Sequence, residues 1–183
     1  MKYKDDIDRE LPKDDSTSEA EKSLLYWLIR DLKPKTVIET GTHRGYTSLY
    51  MAHALYDNGF GHLTTCDPNT EWYAQGNFNK FPELAPYITY KAIQGKDLDV
   101  KDIDFAFIDG FHGKEDVLPE LEMLLPKLSN SAVVVFHDCW YGNTDGVNEA
   151  LEEAKLKTLW LPTKNAIRIY SKHPKKPTGP QDL

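Results

Sequence analysis

The sequence predicts an α/β domain on a doubly wound, mostly parallel sheet that closes with an antiparallel C-terminal hairpin strand. Three observations carry this expectation. Short apolar runs of strand length (TVIET, HLTTC, IDFAFI, AVVVFH) alternate with segments of helical period. The middle runs are almost continuously apolar, as strands covered on both faces are. The last two runs, KTLWL and AIRIYS, are separated only by PTKN, which is hairpin spacing.

The elements follow in order. Residues 1–15 are polar and crowded with charge, and are expected to form a flexible segment. STSE (16–19) then offers Ser16 and Ser18 as helix caps, with Ser16 and Glu19 at capping-box spacing. A helix to about Leu32 is predicted by Leu24, Leu25, Leu28, Ile29 and Leu32, and Pro34 stops it. TVIET (36–40) is a strand, and a helix over about 46–56 ends at Asn58-Gly59. HLTTC (62–66) is a strand followed by DPN, then a short helix near 70–79. Strands follow at ITYKAI (88–93) and IDFAFI (103–108). A helix runs over about 114–125, and the LPELEMLLPKL stripe (118–128) is read as core-facing by its helical period. AVVVFH (132–137) is a strand, and a helix spans about 145–155 before the hairpin of 157–161 and 166–171. Residues 16–171 therefore read as one domain without internal repeats. The tail KHPKKPTGPQDL (172–183), rich in proline and lysine, reads as disordered.

Composition narrows the function. The 183 residues are 40% hydrophobic and 28% charged, which is the balance of an ordinary globular domain. A net charge of -7 argues against nonspecific attraction to nucleic acid or anionic membrane. Met1–Asp15 lacks the apolar stretch of a signal peptide, and no apolar run is long enough to span a bilayer. Cys66 and Cys139 fit no metal spacing and read as reduced thiols. The expectation is a cytoplasmic protein.

The junction VIETGTHRGYTSLYM (37–51) is where a strand meets a helix. In an open parallel sheet, ligands bind beyond the carboxyl ends of the strands. Gly41 and Gly45 clear that turn of side chains. The helix N-terminus offers free N–H groups to an anion, and Thr47 adds a hydroxyl. His43 stands where a dinucleotide fingerprint would have its middle glycine. Glu39 at the strand end repels pyrophosphate and attracts a cation. An ammonium and a carboxylate on one ligand suit Glu39 and the helix end together, as in the methionyl part of S-adenosylmethionine. Asp67 closes the next strand and is suited to ribose hydroxyls.

ETGTHRGYTS (39–48) followed by CDP (66–68) resembles class I S-adenosylmethionine-dependent methyltransferases. The likeness is to the small metal-dependent O-methyltransferase branch, which includes enzymes like catechol and macrolide-sugar O-methyltransferases. FIDGFHGKEDVLPELEMLLPKLSNSAVVVFHD (107–138) strengthens the resemblance through its IDG-x-H motif and its acid-bearing strand end. The likeness covers about Leu24–Trp140 and implies a Rossmann-like fold. It implies that Glu39, Gly41, Thr42, Gly45 and Thr47 hold the methionyl end and that Asp67 holds the ribose. Phe111 is implied over the adenine. QGKD (94–97) matches the loop at the adenine edge, with Asp97 accepting from the adenine amino group and Lys96 beside it.

Asp109 ends the fourth strand, and His137 and Asp138 end the fifth. Two carboxylates on one rim repel unless a cation lies between them. Asp109 and Asp138 suit Mg²⁺ or Mn²⁺. His137 departs from the all-oxygen pattern of the resembled enzymes and leans the site toward Mn²⁺, Fe²⁺ or Zn²⁺. His112, three residues after Asp109, stands where the resemblance implies the general base. Methyl transfer needs one, because the attacking hydroxyl must lose its proton. Trp140 and Tyr141 are candidate walls of an acceptor pocket, and His43 faces solvent or substrate. His53 and His62 read as surface or packing residues, and Cys139 as inert.

The function expected is divalent-metal-assisted O-methylation of a small sugar-type or phenol-type hydroxyl by S-adenosylmethionine. The alternative is a non-catalytic module on the same fold that binds the donor or a partner. A nicotinamide oxidoreductase is the weakest reading, for want of the middle glycine. The amino-terminal segment is short, leaving the pocket either open or completed by a second subunit of a homo-oligomer.

Overall fold

The computed structural model describes residues 3–11, 16–69, 71–140 and 145–172. Its helices are α1 (Lys4–Glu10), α2 (Glu19–Leu32), α3 (Tyr46–Asn58), α4 (Glu71–Phe78), α5 (Lys114–Leu124) and α6 (Gly146–Glu153). Its strands are β1 (Thr36–Thr40), β2 (His62–Cys66), β3 (Ile88–Lys91), β4 (Ile103–Ile108), β5 (Leu128–Phe136), β6 (Leu159–Leu161) and β7 (Ile167–Ser171). The expected alternation is present element by element.

The strands form one sheet in the order β3-β2-β1-β4-β5-β7-β6. β1 to β5 pair in parallel, and β7 runs antiparallel to both β5 and β6. The chain winds outward from β1 to β3, then crosses to β4 on the other side of β1. The order therefore reverses between β1 and β4, and a crevice opens beyond their carboxyl ends.

Period-2 alternation sends neighbouring residues of each strand into two different cores. Ile38, Ala106, Val134 and Phe136 meet Val117, Leu121 and Leu124 of α5 and Val147 and Leu151 of α6. Val37, Phe105, Phe107 and Val135 meet Leu25 and Ile29 of α2 and Met51 and Leu55 of α3. Burial on both faces is why these strands read as continuous apolar runs.

Two expectations about the amino-terminal region are corrected. Residues 4–10 were expected to be loose, yet they form α1. Tyr3, Ile7 and Leu11 recur every four residues and are buried in a third cluster with Leu49, Tyr50 and Phe81. Their apolar stripe is narrow and sits among charges that mask it in the sequence. Of the two caps offered for α2, Ser18 is the one used, and the capping box pairs it with Glu21 instead of pairing Ser16 with Glu19. Ser18 Oγ accepts from Glu21 N (3.3 Å), and Glu21 Oε2 accepts from Ser18 N (2.8 Å). The expected disordered tail lies outside the described residues except for Lys172.

Candidate active site

The loop after β1 owes its path to two glycines. Gly41 has φ +85°, and a Cβ there would lie 2.0 Å from the Asp109 carbonyl oxygen. The β1 loop can thus rest on the end of β4 only without a side chain. Gly45, the cap of α3, has φ +79°, and its Cβ would strike the Phe78 ring at 2.4 Å. His43 between them is also left-handed, at φ +46°. A non-glycine residue resists that conformation. Here the His43 N–H donates to Asp67 Oδ2 at 3.0 Å, which helps hold the turn. Asp67 Oδ1 accepts from Asn69 N (2.9 Å), so the Asp67 carboxylate is fixed at the end of β2.

Glu39 lies behind this loop, fully buried. Its Oε2 accepts from Ser48 Oγ and from Thr65 Oγ1 (2.6 Å), and Thr65 Oγ1 lies 2.5 Å from Thr42 Oγ1. Burial is the largest influence on its pKa and outweighs those two hydrogen bonds, pushing the carboxyl up to about 8. Its Oε1 has no hydrogen-bond partner among the described residues. Thr47, in the first turn of α3, is buried with its hydroxyl 3.4 Å from Thr17.

A cavity of about 700 Å³ opens over the β1–β4 crevice. Six of the sequence-predicted residues line it: Gly41, Asp67, Asp109, Phe111, His112 and Asp138. Glu39, Thr42, Gly45, Thr47 and His137 are not among its lining. Asp97 is corrected. It sits in a 3-10 turn over Gly95–Asp97, is exposed, and does not line the cavity, whereas its neighbours Gln94 and Gly95 do. A 3-10 turn brings the chain round within three residues, so the acid points elsewhere than the glycine two residues before it. His43 and the 71%-exposed Trp140 also line the cavity, while Tyr141 lies outside the described residues. Cys66 and Cys139 are free and buried, and burial above all raises both thiols to about 12, leaving them unreactive.

The ends of β4 and β5 bring four predicted side chains together. His137 Nδ1 lies 2.8 Å from Asp109 Oδ1 and 3.4 Å from Asp138 Oδ1. His112 Nε2 lies 2.7 Å from Asp138 Oδ2 and 3.9 Å from Asp109 Oδ1. Burial lowers the pKa of both imidazoles, but the neighbouring carboxylates overcome it. His112 is raised to about 9, and His137 rises further. Burial raises Asp138, yet hydrogen bonds from His112 and His137 bring it down to about 2. Asp138 is held at φ +50°, a backbone conformation that costs energy and recurs at functional sites.

Asp109, His137 and Asp138 each offer a ligand atom, all within 4.8 Å of one another. This donor set fits a divalent cation. The other ring nitrogen of His137 lies 3.4 Å from Glu21 Oε2, so a buried carboxylate backs the imidazole as it does behind metal-binding histidines. Glu21 also accepts from Asn165 N at Oε1 (3.1 Å). Burial would raise Glu21, but His137, Thr163 and Ser18 hydrogen bonds hold it far below the usual carboxylate range.

Sequence reasoning missed Glu21 and Glu120. Glu120, read as part of a core stripe, lines the cavity at 6% exposure. The capping-box spacing Ser18–Glu21 was the one available signal for Glu21. For Glu120 it was a lone acid on an otherwise apolar helix face.

Residues 38–139 match a family of methyltransferase domains, more than half of the 183-residue chain. The chain belongs to this methyltransferase-domain family. A protein of Sinorhizobium fredii named y4gI is 27% identical over 129 residues, which cover 61% of this chain. The chain spans only 14% of that relative's length. Among solved structures, a putative caffeoyl-CoA O-methyltransferase from Staphylococcus aureus shares the fold with a TM-score of 0.73 at 20% identity, covering 90% of this chain and 87% of that one. A methyltransferase from Podospora anserina, PaMTH1, bound to S-adenosylhomocysteine, gives 0.70 at 17% identity, covering 89% and 82%. The O-methyltransferase TomG from Streptomyces achromogenes, in complex with S-adenosylmethionine, gives 0.65 at 18%, covering 86% and 82%. Among the described residues, no helix is long and apolar enough to cross a membrane.

Proposed function

We propose that this protein transfers a methyl group from S-adenosylmethionine to a hydroxyl of a small molecule of sugar or phenol type, assisted by a divalent cation, Mg²⁺ or Mn²⁺ foremost. The observation that carries this reading is one cavity lined by two chemically different sets of groups. One is the β1 loop with Asp67; the other is Asp109, His112 and Asp138, with His137 Nδ1 2.8 Å from Asp109 Oδ1. Solved structures of the same fold whose names include S-adenosylmethionine or its demethylated product support the donor.

The residues fit both groups. The glycine turn is a cradle that side chains would fill, and the orphaned, buried Oε1 of Glu39 is the acceptor that an ammonium would satisfy. Asp67 would take the ribose hydroxyls, and Phe111 would cover the base. Asp109, His137 and Asp138 would hold the cation, which when bound acidifies an acceptor hydroxyl and neutralises the two carboxylates. His112, on the cavity wall, accepts the hydroxyl proton at Nε2. Its carboxylate neighbours hold that nitrogen protonated only while they lack another cation. Trp140 walls the acceptor and helps exclude water. The reducing cytoplasm suits the two unpaired thiols.

The decisive measurement is turnover of a tritiated methyl donor over a panel of phenolic and sugar acceptors, beside calorimetry with S-adenosylhomocysteine. We expect heat of binding, turnover abolished by EDTA, and a His112→Ala variant that binds S-adenosylhomocysteine normally while losing turnover. No heat with S-adenosylhomocysteine refutes the donor. EDTA-resistant turnover refutes the cation.

A further inference from the structure

Glu120 is an acid in an apolar setting. It stands on α5 between Val117, Leu121 and Leu124, all of which face the core, yet it lines the cavity. Its Oε2 accepts from Thr40 Oγ1 at 3.0 Å, which fixes the carboxyl plane. Its Oε1 reaches between two glycines: a Cβ on Gly95 would come within 2.3 Å of it, and one on Gly110 within 3.1 Å. Side chains at those positions would displace this oxygen from between the loops that follow β3 and β4. Burial, the largest influence, raises the carboxyl to about 7 despite the Thr40 bond.

A buried acid supported by one hydroxyl is costly, and a ligand N–H would repay the cost. The groups that share the cavity say which part of the ligand carries that N–H. Asp67, at the end of β2, suits the sugar. Gln94, Gly95 and Glu120 line the same cavity, and Glu120 Oε1 lies against Gly95 and Gly110. A base attached to that sugar and seated between the loops that follow β3 and β4 would present its exocyclic group to Glu120. We propose that Glu120 selects the nucleobase of the donor, its Oε1 accepting a hydrogen bond from the 6-amino group of adenine. It takes the role that the sequence had suggested for Asp97. This role presupposes S-adenosylmethionine as donor.

Titration calorimetry on the full chain tests it, comparing S-adenosylhomocysteine with S-inosylhomocysteine, in which a 6-oxo group replaces the amine. At pH 8.5, above the raised value, the Glu120 carboxyl is ionised and two acceptors face each other in a buried site, so the wild type should bind the inosyl compound about tenfold or more weakly. Glu120→Gln should bring the two affinities within about threefold, because an amide offers either a donor or an acceptor. A Glu120→Gln protein that keeps the full preference, or that weakens both ligands equally, overturns the role. A wild type that binds both ligands alike overturns it without any variant, so an unstable variant does not shield it. A wild type that binds neither ligand refutes the donor itself and removes the role with it.

Discussion

On the β1 side of the cavity, Glu39 and Glu120 are buried against hydroxyls. On the β5 side, Asp138 and Glu21 are buried against imidazoles. The first pair is pushed up, to about 8 and about 7. The second pair is held down, Asp138 to about 2. All four are nearly inaccessible, so burial does not decide the difference. The partner does: a hydroxyl donates a hydrogen bond without a charge, whereas an imidazolium brings both. The cavity thus has one flank whose acids accept protons and another that is an ionic lattice. The first suits recognition of neutral and cationic N–H groups. The second suits a cation.

The largest expected effect comes from removing the charge at the centre of the lattice. His137→Gln leaves Asp109, Asp138 and Glu21 facing one another. In EDTA it should cost about 3–5 kcal/mol, the range for a buried ion pair stripped of one partner. The pH window follows from the shifts. His137 is raised above its ordinary 6.5, so its contribution is complete below 6.5 and is lost as pH climbs through the raised value. Asp138 is lowered from 3.8, so its contribution is present above 3.8 and is lost as pH falls through about 2. The cost should therefore peak between these ordinary values, near pH 5, in urea titrations. A cost independent of pH would show that the histidine acts by packing alone.

The opposite flank should respond in the opposite sense. Glu39 is raised from 4.5 to about 8. Its favourable contribution is complete below 4.5 and is lost as pH rises through about 8. Glu39→Gln, which keeps the shape and cannot ionise, should gain on the wild type by on the order of 1 kcal/mol per pH unit across that interval. Thermal melts at pH 5 and pH 8 check this. If the two proteins lose stability in parallel, Glu39 is ionised when folded and the contrast between the flanks is wrong.

The sequence shows much of the lattice and little of its support. Asp109, His137 and Asp138 were legible because parallel strands in adjacent places end on the same rim, and the apolar runs locate those ends. Gly41 and Gly45 were legible because a strand–helix turn excludes side chains. Glu21 was not, since it reaches His137 from a helix at the far end of the chain, and only the packing of α2 against the sheet joins them. Glu120 was hidden because helical period assigns a face, not what that face meets near its end. Asp97 misled for the converse reason: closeness along the chain to Gly95 does not carry across a 3-10 turn. Tyr3, Ile7 and Leu11 were masked by the charges between them.

The smallest effect separates the lattice from the helix that bears it. Ser18→Ala removes the hydroxyl that caps α2 but leaves the Ser18 N–H that donates to Glu21 Oε2. Its cost should be about 1 kcal/mol, the usual value of a cap. It should stay the same from pH 5 to pH 8, because no charge changes partner. Glu21→Gln breaks the same box and also withdraws the charge behind His137, so its cost should exceed that of Ser18→Ala where His137 is charged and converge on it as pH rises. Paired urea titrations of the two variants make the comparison. Equal costs at every pH would mean that Glu21 serves the helix alone. The ionic flank would then rest on Asp109 and Asp138 without support from the amino-terminal helix.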